Sequence, residues 1–169
     1  MKKRKIAVIY HSQTMGNTKA AAEHVVQGIN SVGQFELFVA NTNDGRVEPG
    51  VLSDCAAAAF GTPDYFSYPA GGLKMSMDDW LIAQRAGNED IKGMPIALFL
   101  THGGGGVAKG PFEELFRHVG PQVGQTVTAK GKPGSAEADA LRKLGADLAR
   151  EAEKLLSSAA GTARRGKRR

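Results

Sequence analysis

The feature that most constrains this chain is a regular alternation of short apolar runs with segments of helical periodicity. The apolar runs predict strands at residues 5–10, 35–40, 55–60, 95–101 and 125–129. Between them, apolar residues recur at the spacing of amphipathic helices. Such alternation is typical of βα units around a parallel sheet with helices on both faces. We therefore predict one α/β domain, a three-layer sandwich whose five-stranded parallel sheet has the order 2-1-3-4-5.

The composition excludes several classes of protein. A chain of 169 residues, 41% of them hydrophobic, can bury one full core but not two. Its single cysteine, Cys55, rules out a disulfide framework, and four scattered histidines add no metal-ligand set. The apolar runs are far shorter than the roughly 20 residues of a membrane span, and residues 6–10 are too short for a signal peptide. We expect a cytoplasmic protein without metal or membrane contact.

The net charge of +5 comes from the two ends of the chain. Nine of the 22 basic residues lie within residues 2–5 and 164–169, which leaves 13 basic against 17 acidic residues and a body of net charge −4. A mildly acidic body argues against nucleic acid as a partner, despite the basic ends. We predict that residues 1–160 form the domain and that residues 161–169 form a mobile basic tail.

In a sheet of this order, ligands bind beyond the carboxyl ends of the strands, so the loops carry the functional signal. The loop after the first strand supplies the hydroxyls of Ser12, Thr14 and Thr18, the glycine Gly16, and the free N–H groups of a helix start. These groups favour a bound phosphate. The lysine of a nucleotide-hydrolysing P-loop is missing. A turn whose hydroxyls only cap the helix remains the alternative.

The loop after the third strand carries three aromatic residues, Tyr65, Phe66 and Tyr68, within four positions. Aromatic side chains at the ligand end of a sheet offer a stacking surface for a planar ring. The alternative is that Tyr65 or Phe66 seals the loop against the core.

The loop after the fourth strand contains four consecutive glycines at residues 103–106. They match the dinucleotide fingerprint only weakly, since no acidic residue ends the next strand. A backbone lying flat beside a ligand, with its N–H groups turned toward it, fits better. His102 is the only titratable ring of this loop, and it either orients a ligand oxygen or bonds its own loop.

Two of these loops resemble those of a known family. Residues 9–18, Ile-Tyr-His-Ser-Gln-Thr-Met-Gly-Asn-Thr, are similar to the FMN-phosphate loop of flavodoxins, S/T-x-T-G-x-T, with Met15 inserted. The aromatic loop resembles the pattern G-T-P-x-x-F-x-x-x-A-G-x-x-K-x-x-x-D of the tryptophan-repressor-binding-protein branch, the NAD(P)H:quinone reductase relatives of flavodoxin. Tyr65 stands where that branch commonly has arginine. The matching residues are Gly61, Thr62, Pro63, Phe66, Ala70, Gly71, Lys74 and Asp78.

The resemblance implies a flavodoxin-like fold that binds FMN without a covalent link and reduces quinones or similar acceptors with NAD(P)H. Shuttle flavodoxins usually carry an aromatic residue in the third loop, which this chain lacks, and His102 is the candidate catalytic group. An electron carrier with redox protein partners remains an alternative, as does a flavin-binding module that docks on an anionic partner through its basic tail. Whether the protein forms a homo-oligomer is left open by the sequence. The implied FMN contacts are Ser12, Gln13, Thr14, Met15, Gly16, Asn17, Thr18, Thr62, Pro63, Asp64, Tyr65, Phe66, Thr101, His102, Gly103, Gly104 and Gly105.

Overall fold

The structure is a computed structural model that describes residues 4–87 and 93–166. Within these residues, strands and helices alternate along most of the chain, as the apolar pattern predicts. The strands are β1 (Lys5–Tyr10), β2 (Glu36–Asn41), β3 (Ala57–Tyr65), β4 (Tyr68–Pro69), β5 (Ile96–His102) and β6 (Val127–Lys130). The helices are α1 (Asn17–Asn30), α2 (Gly50–Ser53), α3 (Gly71–Arg85), α4 (Lys109–Phe116) and α5 (Ser135–Gly166).

Five strands form a parallel sheet in the order β2-β1-β3-β5-β6. This is the flavodoxin-like α/β fold, and it confirms the predicted order, with β5 and β6 as the fourth and fifth predicted strands. The short strand β4 was not predicted. It pairs antiparallel with the end of β3, which extends to Tyr65 and not to residue 60 as predicted.

The central strand β3 opens with alanines that are poor strand formers by themselves. Ala57, Ala58 and Ala59 are fully buried, because helices cover both faces of the sheet. Their small side chains leave room for larger ones from those helices. On one face, for example, the ring of Phe60 packs 4.4 Å from that of Phe116 and 5.5 Å from that of Trp80, measured between ring centroids. Tertiary burial therefore overrides the weak local propensity.

On the other face, α1 and α5 pack so closely that glycine is required at the crossing. A Cβ at Gly28 would lie 1.9 Å from the carbonyl oxygen of Arg142, and one at Gly145 would lie 2.1 Å from that of Val25. Both distances are far below van der Waals contact, so any side chain would force the helices apart. This contact holds the helix whose first turn belongs to the predicted phosphate loop.

The last helix is longer than predicted. Its backbone is helical from Ser135 through Gly166, and so includes residues 161–166 of the predicted tail. Residues 167–169 and the basic residues Lys2 and Lys3 lie outside the described residues, and the mobility of the tail stays a prediction. No helix in the described part of the chain is long and apolar enough to cross a membrane.

Candidate functional site

Three loops at the carboxyl ends of β1, β3 and β5 surround an open cleft of about 340 Å³. These are the three loops that the sequence analysis singled out, and they meet because parallel strands end at the same edge of the sheet. The lining residues are Ser12, Gln13, Thr14, Met15, Gly16, Asn17, Thr18, Pro63, Asp64, Tyr65, Thr101, His102 and Gly103. Of the predicted contacts, Thr62, Phe66, Gly104 and Gly105 do not line the cleft.

The first loop turns sharply before α1, and Gly16 makes the turn possible. Its φ of 68° lies in the left-handed region, and its N–H donates to the carbonyl oxygen of Gln13 at 2.9 Å. Ser12 Oγ accepts the N–H of Lys19 at 3.2 Å, so this hydroxyl does cap the helix. The first turn of α1 carries no acidic residue, which leaves its positive end uncompensated.

The two threonines of this loop differ in their surroundings. Thr18 is buried, and its Oγ1 lies 2.7 Å from Thr101 Oγ1 at the end of β5. Thr14 is exposed, and none of the described residues bonds its hydroxyl. The hydroxyl of Thr14 is therefore available to a ligand, whereas that of Thr18 already joins two walls of the cleft.

Asn41 supports the first loop and was missed by the sequence analysis. Its Oδ1 accepts the N–H of Ser12 at 2.9 Å, and its Nδ2 donates to the carbonyl oxygen of Ser12 at 2.8 Å. Asn41 ends β2, the neighbour of β1 in the sheet. A polar residue at the carboxyl end of an adjacent strand was the signal that could have identified it.

His11 is a second supporting residue that the sequence pattern did not predict. It is only 6% exposed, and its Nδ1 lies 3.0 Å from Thr42 Oγ1 in a hydrogen bond. Burial lowers the pKa of His11, and the negative charge of Asp44 partly opposes that shift. The imidazole meets the ring of Tyr65 edge to face, with 6.0 Å between centroids, and so supports one wall of the cleft.

The predicted second loop is a β-hairpin formed by the end of β3 and β4. Phe66 and Ser67 form its two-residue turn with φ values of 53° and 62°, a combination that normally requires Asn and Gly. Phe66 is fully exposed at the tip, so it does not seal the loop against the core. Tyr65 lines the cleft, and its hydroxyl donates to Gln13 Oε1 at 3.0 Å.

Thr62 is placed to support this hairpin, not to face the cleft. It is completely buried, and its hydroxyl donates to the carbonyl oxygen of Pro63 at 2.9 Å. The hydroxyl oxygen of Thr62 also accepts the N–H of Ala70 at 2.9 Å, and this bond closes the base of the hairpin. A buried hydroxyl that already donates one hydrogen bond and accepts another has little capacity left for a ligand.

Asp64 joins the hairpin to the glycine loop. Its Oδ1 accepts the N–H of Ser67 at 2.9 Å, and its Oδ2 accepts the N–H of Ala108 at 3.0 Å. Ala108 is the residue from which α4 begins. The carboxylate therefore bonds both the turn of the hairpin and the far end of the glycine loop.

The glycine loop leaves open space beside the cleft. A Cβ at Gly103 or Gly104 would meet no atom within 4 Å, and one at Gly105 would meet only Val107 Cγ2, at 3.6 Å. His102 stands at the start of this loop. Its Nδ1 is buried without a hydrogen-bond partner among the described residues, so the expected bond of this atom to its own loop is not formed.

Among residues 4–87 and 93–166, no group of three or more His, Cys, Asp or Glu side chains could hold a metal ion. Cys55 is buried, and its thiol donates to the carbonyl oxygen of Val51 at 3.2 Å.

Comparisons with known proteins point to the same fold. No family model and no curated protein matches the chain. An archaeal flavodoxin is 26% identical, with a TM-score of 0.74 over 88% of this chain and 99% of that one. A WrbA-like flavodoxin from Agrobacterium tumefaciens is 21% identical, with a TM-score of 0.73 over 89% of this chain and 98% of that one.

A flavodiiron protein from Giardia intestinalis is also similar, at 19% identity and a TM-score of 0.78. The match covers 93% of this chain but only 38% of the longer protein. The chain is thus similar in fold to flavodoxins and to one part of flavodiiron proteins. The branch of tryptophan-repressor-binding proteins remains a resemblance of motifs.

Proposed function

We propose that this protein is an FMN-dependent oxidoreductase that transfers reducing equivalents from NAD(P)H to a quinone or a similar acceptor. In the overall reaction, NAD(P)H and a proton reduce a quinone to its hydroquinone and NAD⁺ or NADP⁺ leaves. Bound FMN would supply the hydride chemistry, and the protein would supply binding, orientation and electrostatics. The similarity to flavodoxins and the three-loop cleft support this proposal.

The first loop fits the phosphate of FMN. None of the residues that line the cleft is a lysine or an arginine, so the charge would be met by backbone N–H groups, the start of α1 and hydroxyls. Thr14 offers a hydroxyl that no described residue bonds, and the left-handed turn at Gly16 brings the backbone close. A single site of this kind suits one phosphate and therefore FMN in preference to FAD.

The second and third loops fit the ring of FMN. Tyr65 supplies an aromatic wall, and its hydrogen bond to Gln13 and its contact with His11 hold that wall in place. The Nδ1 of His102 also supports a ligand at this place. It has no hydrogen-bond partner among the described residues, whereas a buried polar atom of this kind is normally paired. Polar edge atoms of a flavin ring, or an acceptor oxygen beside it, are partners of the right chemistry.

The observation that favours an enzyme is the open space along residues 103–105. No side chain from these glycines covers the cleft, so one face of a bound ring would stay accessible to a second flat molecule. NAD(P)H and a quinone would use that face in turn. Neither step requires an acid or base beyond His102, which would hold or release a proton at Nδ1 or orient the acceptor oxygen.

A second candidate function is electron transfer without a substrate of its own. The archaeal flavodoxin matches over nearly its full length. Met15, Phe66 and Val107 each come from one of the three loops and are 84%, 105% and 62% exposed, an apolar rim suited to a protein partner. In that case the open face of a bound ring would serve only for contact with the protein partner.

The two candidates are separated by turnover. The purified protein is titrated with FMN and with FAD, and the FMN complex is mixed with NADH or NADPH and a soluble quinone while the nicotinamide absorbance is followed. Steady oxidation of the nicotinamide supports the enzyme. Reduction only through a separate reductase supports the carrier. Failure to bind FMN, or to gain thermal stability from it, would contradict both.

A further inference from the structure

The hairpin and the glycine loop diverge at the point where the sheet ends. The last registered pair between β3 and β5 is Pro63 with Thr101. Asp64 is the next residue, and beyond it the hairpin and the glycine loop form separate walls of the cleft. Their separation is therefore not set by the hydrogen bonds of the parallel ladder.

The carboxylate of Asp64 spans this gap. One oxygen accepts the N–H of Ser67 in the hairpin turn at 2.9 Å, and the other accepts the N–H of Ala108 at 3.0 Å. Hydrogen bonds to an ionised carboxylate are stronger than those between neutral groups. The second bond is also favoured by the positive end of α4, which begins after Ala108.

The bond from the N–H of Ser67 to Asp64 also holds an unfavourable backbone conformation. Phe66 and Ser67 both have positive φ values, which side chains other than glycine, asparagine or aspartate rarely adopt. Such a turn persists only when its surroundings hold it in place. Tyr65 precedes this turn and forms the aromatic wall of the cleft, so its position depends on the turn that Asp64 holds.

We infer that Asp64 is a positioning residue that fixes the width of the ring-binding part of the cleft by tying the hairpin to the glycine loop. This inference rests on the proposed function for the identity of the ring. Both carboxylate oxygens of Asp64 accept backbone N–H groups, and Asp64 also lines the cleft, so its contact with the cofactor stays a prediction. The two hydrogen bonds of Asp64 go to the hairpin and to the glycine loop and not to the first loop, which is proposed to bind the phosphate.

The first measurement needs no flavin. Amide hydrogen exchange is followed by NMR in the flavin-free protein for wild type, Asp64→Ala, Asp64→Asn and the control Asp78→Ala. Asp78 is an exposed aspartate paired with Lys74 on α3 and does not line the cleft. We expect faster exchange at the Ser67 and Ala108 amides in Asp64→Ala. In Asp64→Asn only one of the two amides loses its acceptor, and in Asp78→Ala neither does. Unchanged exchange at Ala108 in Asp64→Ala would overturn the inference.

The second measurement compares riboflavin, which lacks the phosphate, with FMN. Asp64→Ala removes both hydrogen bonds of the carboxylate. It should therefore weaken both flavins by at least about tenfold, the low end of what the loss of even one charge-assisted hydrogen bond would give. The ratio of the two dissociation constants should stay at its wild-type value, and visible circular dichroism of the bound flavin should change. Asp64→Asn, which keeps one bond, serves as the milder variant if Asp64→Ala does not fold.

The outcomes distinguish the two proposals. Faster amide exchange with unchanged affinity for both flavins would overturn the positioning role. A loss confined to FMN would also overturn it, since it would place Asp64 at the phosphate. If wild type binds neither flavin while the exchange of the Ser67 and Ala108 amides still responds to Asp64→Ala, then the proposed function fails and the role toward the ring fails with it, but the tie between the loops stands.

Discussion

The hydroxyl oxygens of Thr18 and Thr101 lie 2.7 Å apart, although 83 residues separate them in the chain. Thr18 is in the first turn of α1 and Thr101 is near the end of β5, so this bond joins the first loop to the third. Both residues are buried, at 2% and 3% exposure. The two threonines of the first loop therefore differ. The hydroxyl of Thr18 bonds another part of the protein, whereas the hydroxyl of Thr14 is available to a ligand.

Thr14→Ala and Thr18→Val should therefore have different effects. We expect Thr14→Ala to weaken FMN by about 10- to 100-fold, because a hydrogen bond to a charged group contributes about 1.5–3 kcal/mol, and to leave riboflavin unchanged. Thr18→Val leaves the hydroxyl of Thr101 buried without its partner, so it should lower the free energy of unfolding by about 1–3 kcal/mol. Flavin titration and urea unfolding of the flavin-free protein measure the two effects.

Thr18→Ser is the control, since it keeps the hydroxyl and should retain most of the stability. If Thr14→Ala weakens riboflavin as much as FMN, the residue acts on the ring or the fold and not on the phosphate.

Gly105→Tyr tests the open face. Gly105 is not among the residues with positive φ, and a Cβ there meets only Val107 at an ordinary contact distance, so a side chain is tolerated. A tyrosine at this position should cover the exposed face and reduce NAD(P)H:quinone turnover at least about tenfold, equivalent to about 1.4 kcal/mol in the barrier. FMN affinity and one-electron transfer from a separate reductase should be retained. Steady-state kinetics with each donor measure the loss.

Gly110→Tyr is the matched control, because a Cβ at Gly110 would meet nothing within 4 Å and the residue lies on α4 outside the cleft. Full turnover in a folded, FMN-loaded Gly105→Tyr protein would favour the electron carrier.

The hairpin turn should become more stable with better turn residues. Replacing Phe66 by Asn and Ser67 by Gly supplies the residues that a turn with two positive φ values prefers, and keeps the N–H that Asp64 accepts. We expect the free energy of unfolding to rise by about 1 kcal/mol, as left-handed conformations cost about that much for other residues. Urea unfolding measures this gain. Phe66→Ala controls for the loss of the exposed ring, and an equal gain there would contradict the explanation from backbone strain.

His11 should make the stability depend on pH. Burial lowers the pKa of His11 in the folded state, so on acidification the unfolded chain binds a proton first, near its ordinary value of about 6.5. The free energy of unfolding should therefore fall as the pH drops below about 6.5, whereas His11 contributes no slope above that value. Urea unfolding between pH 7.5 and pH 5 should show a shallower loss in His11→Asn than in wild type.

Asp44→Asn provides the opposite change. The negative charge of Asp44 raises the pKa of His11, so its removal should lower that pKa further and steepen the loss of stability in acid. Parallel curves for wild type and His11→Asn would mean that other groups cause the dependence on pH.

Much of the fold could be predicted from the sequence, because hydrophobic periodicity is a local property. The apolar runs located all five parallel strands, with bounds within two residues except at the end of β3, and the alternation of strands and helices favoured the order that is observed. Because parallel strands end at the same edge of the sheet, the three unusual loops were expected there. The hairpin was missed because its turn residues, Phe66 and Ser67, are not those that such a turn normally selects.

The sequence alone therefore determined the fold class, the edge of the sheet that carries the cleft and most of the residues that line it. Only the tertiary structure decided what each side chain does there. Thr18 bonds Thr101, Asp64 bonds Ala108 across 44 residues, and Asn41 bonds Ser12 across 29. These partners belong to different loops and strands, and each hydrogen bond depends on atoms coming within about 3 Å, which no local pattern of residues encodes. Chain folding brings them together, and the burial that accompanies it makes the bonds strong enough to shape the cleft.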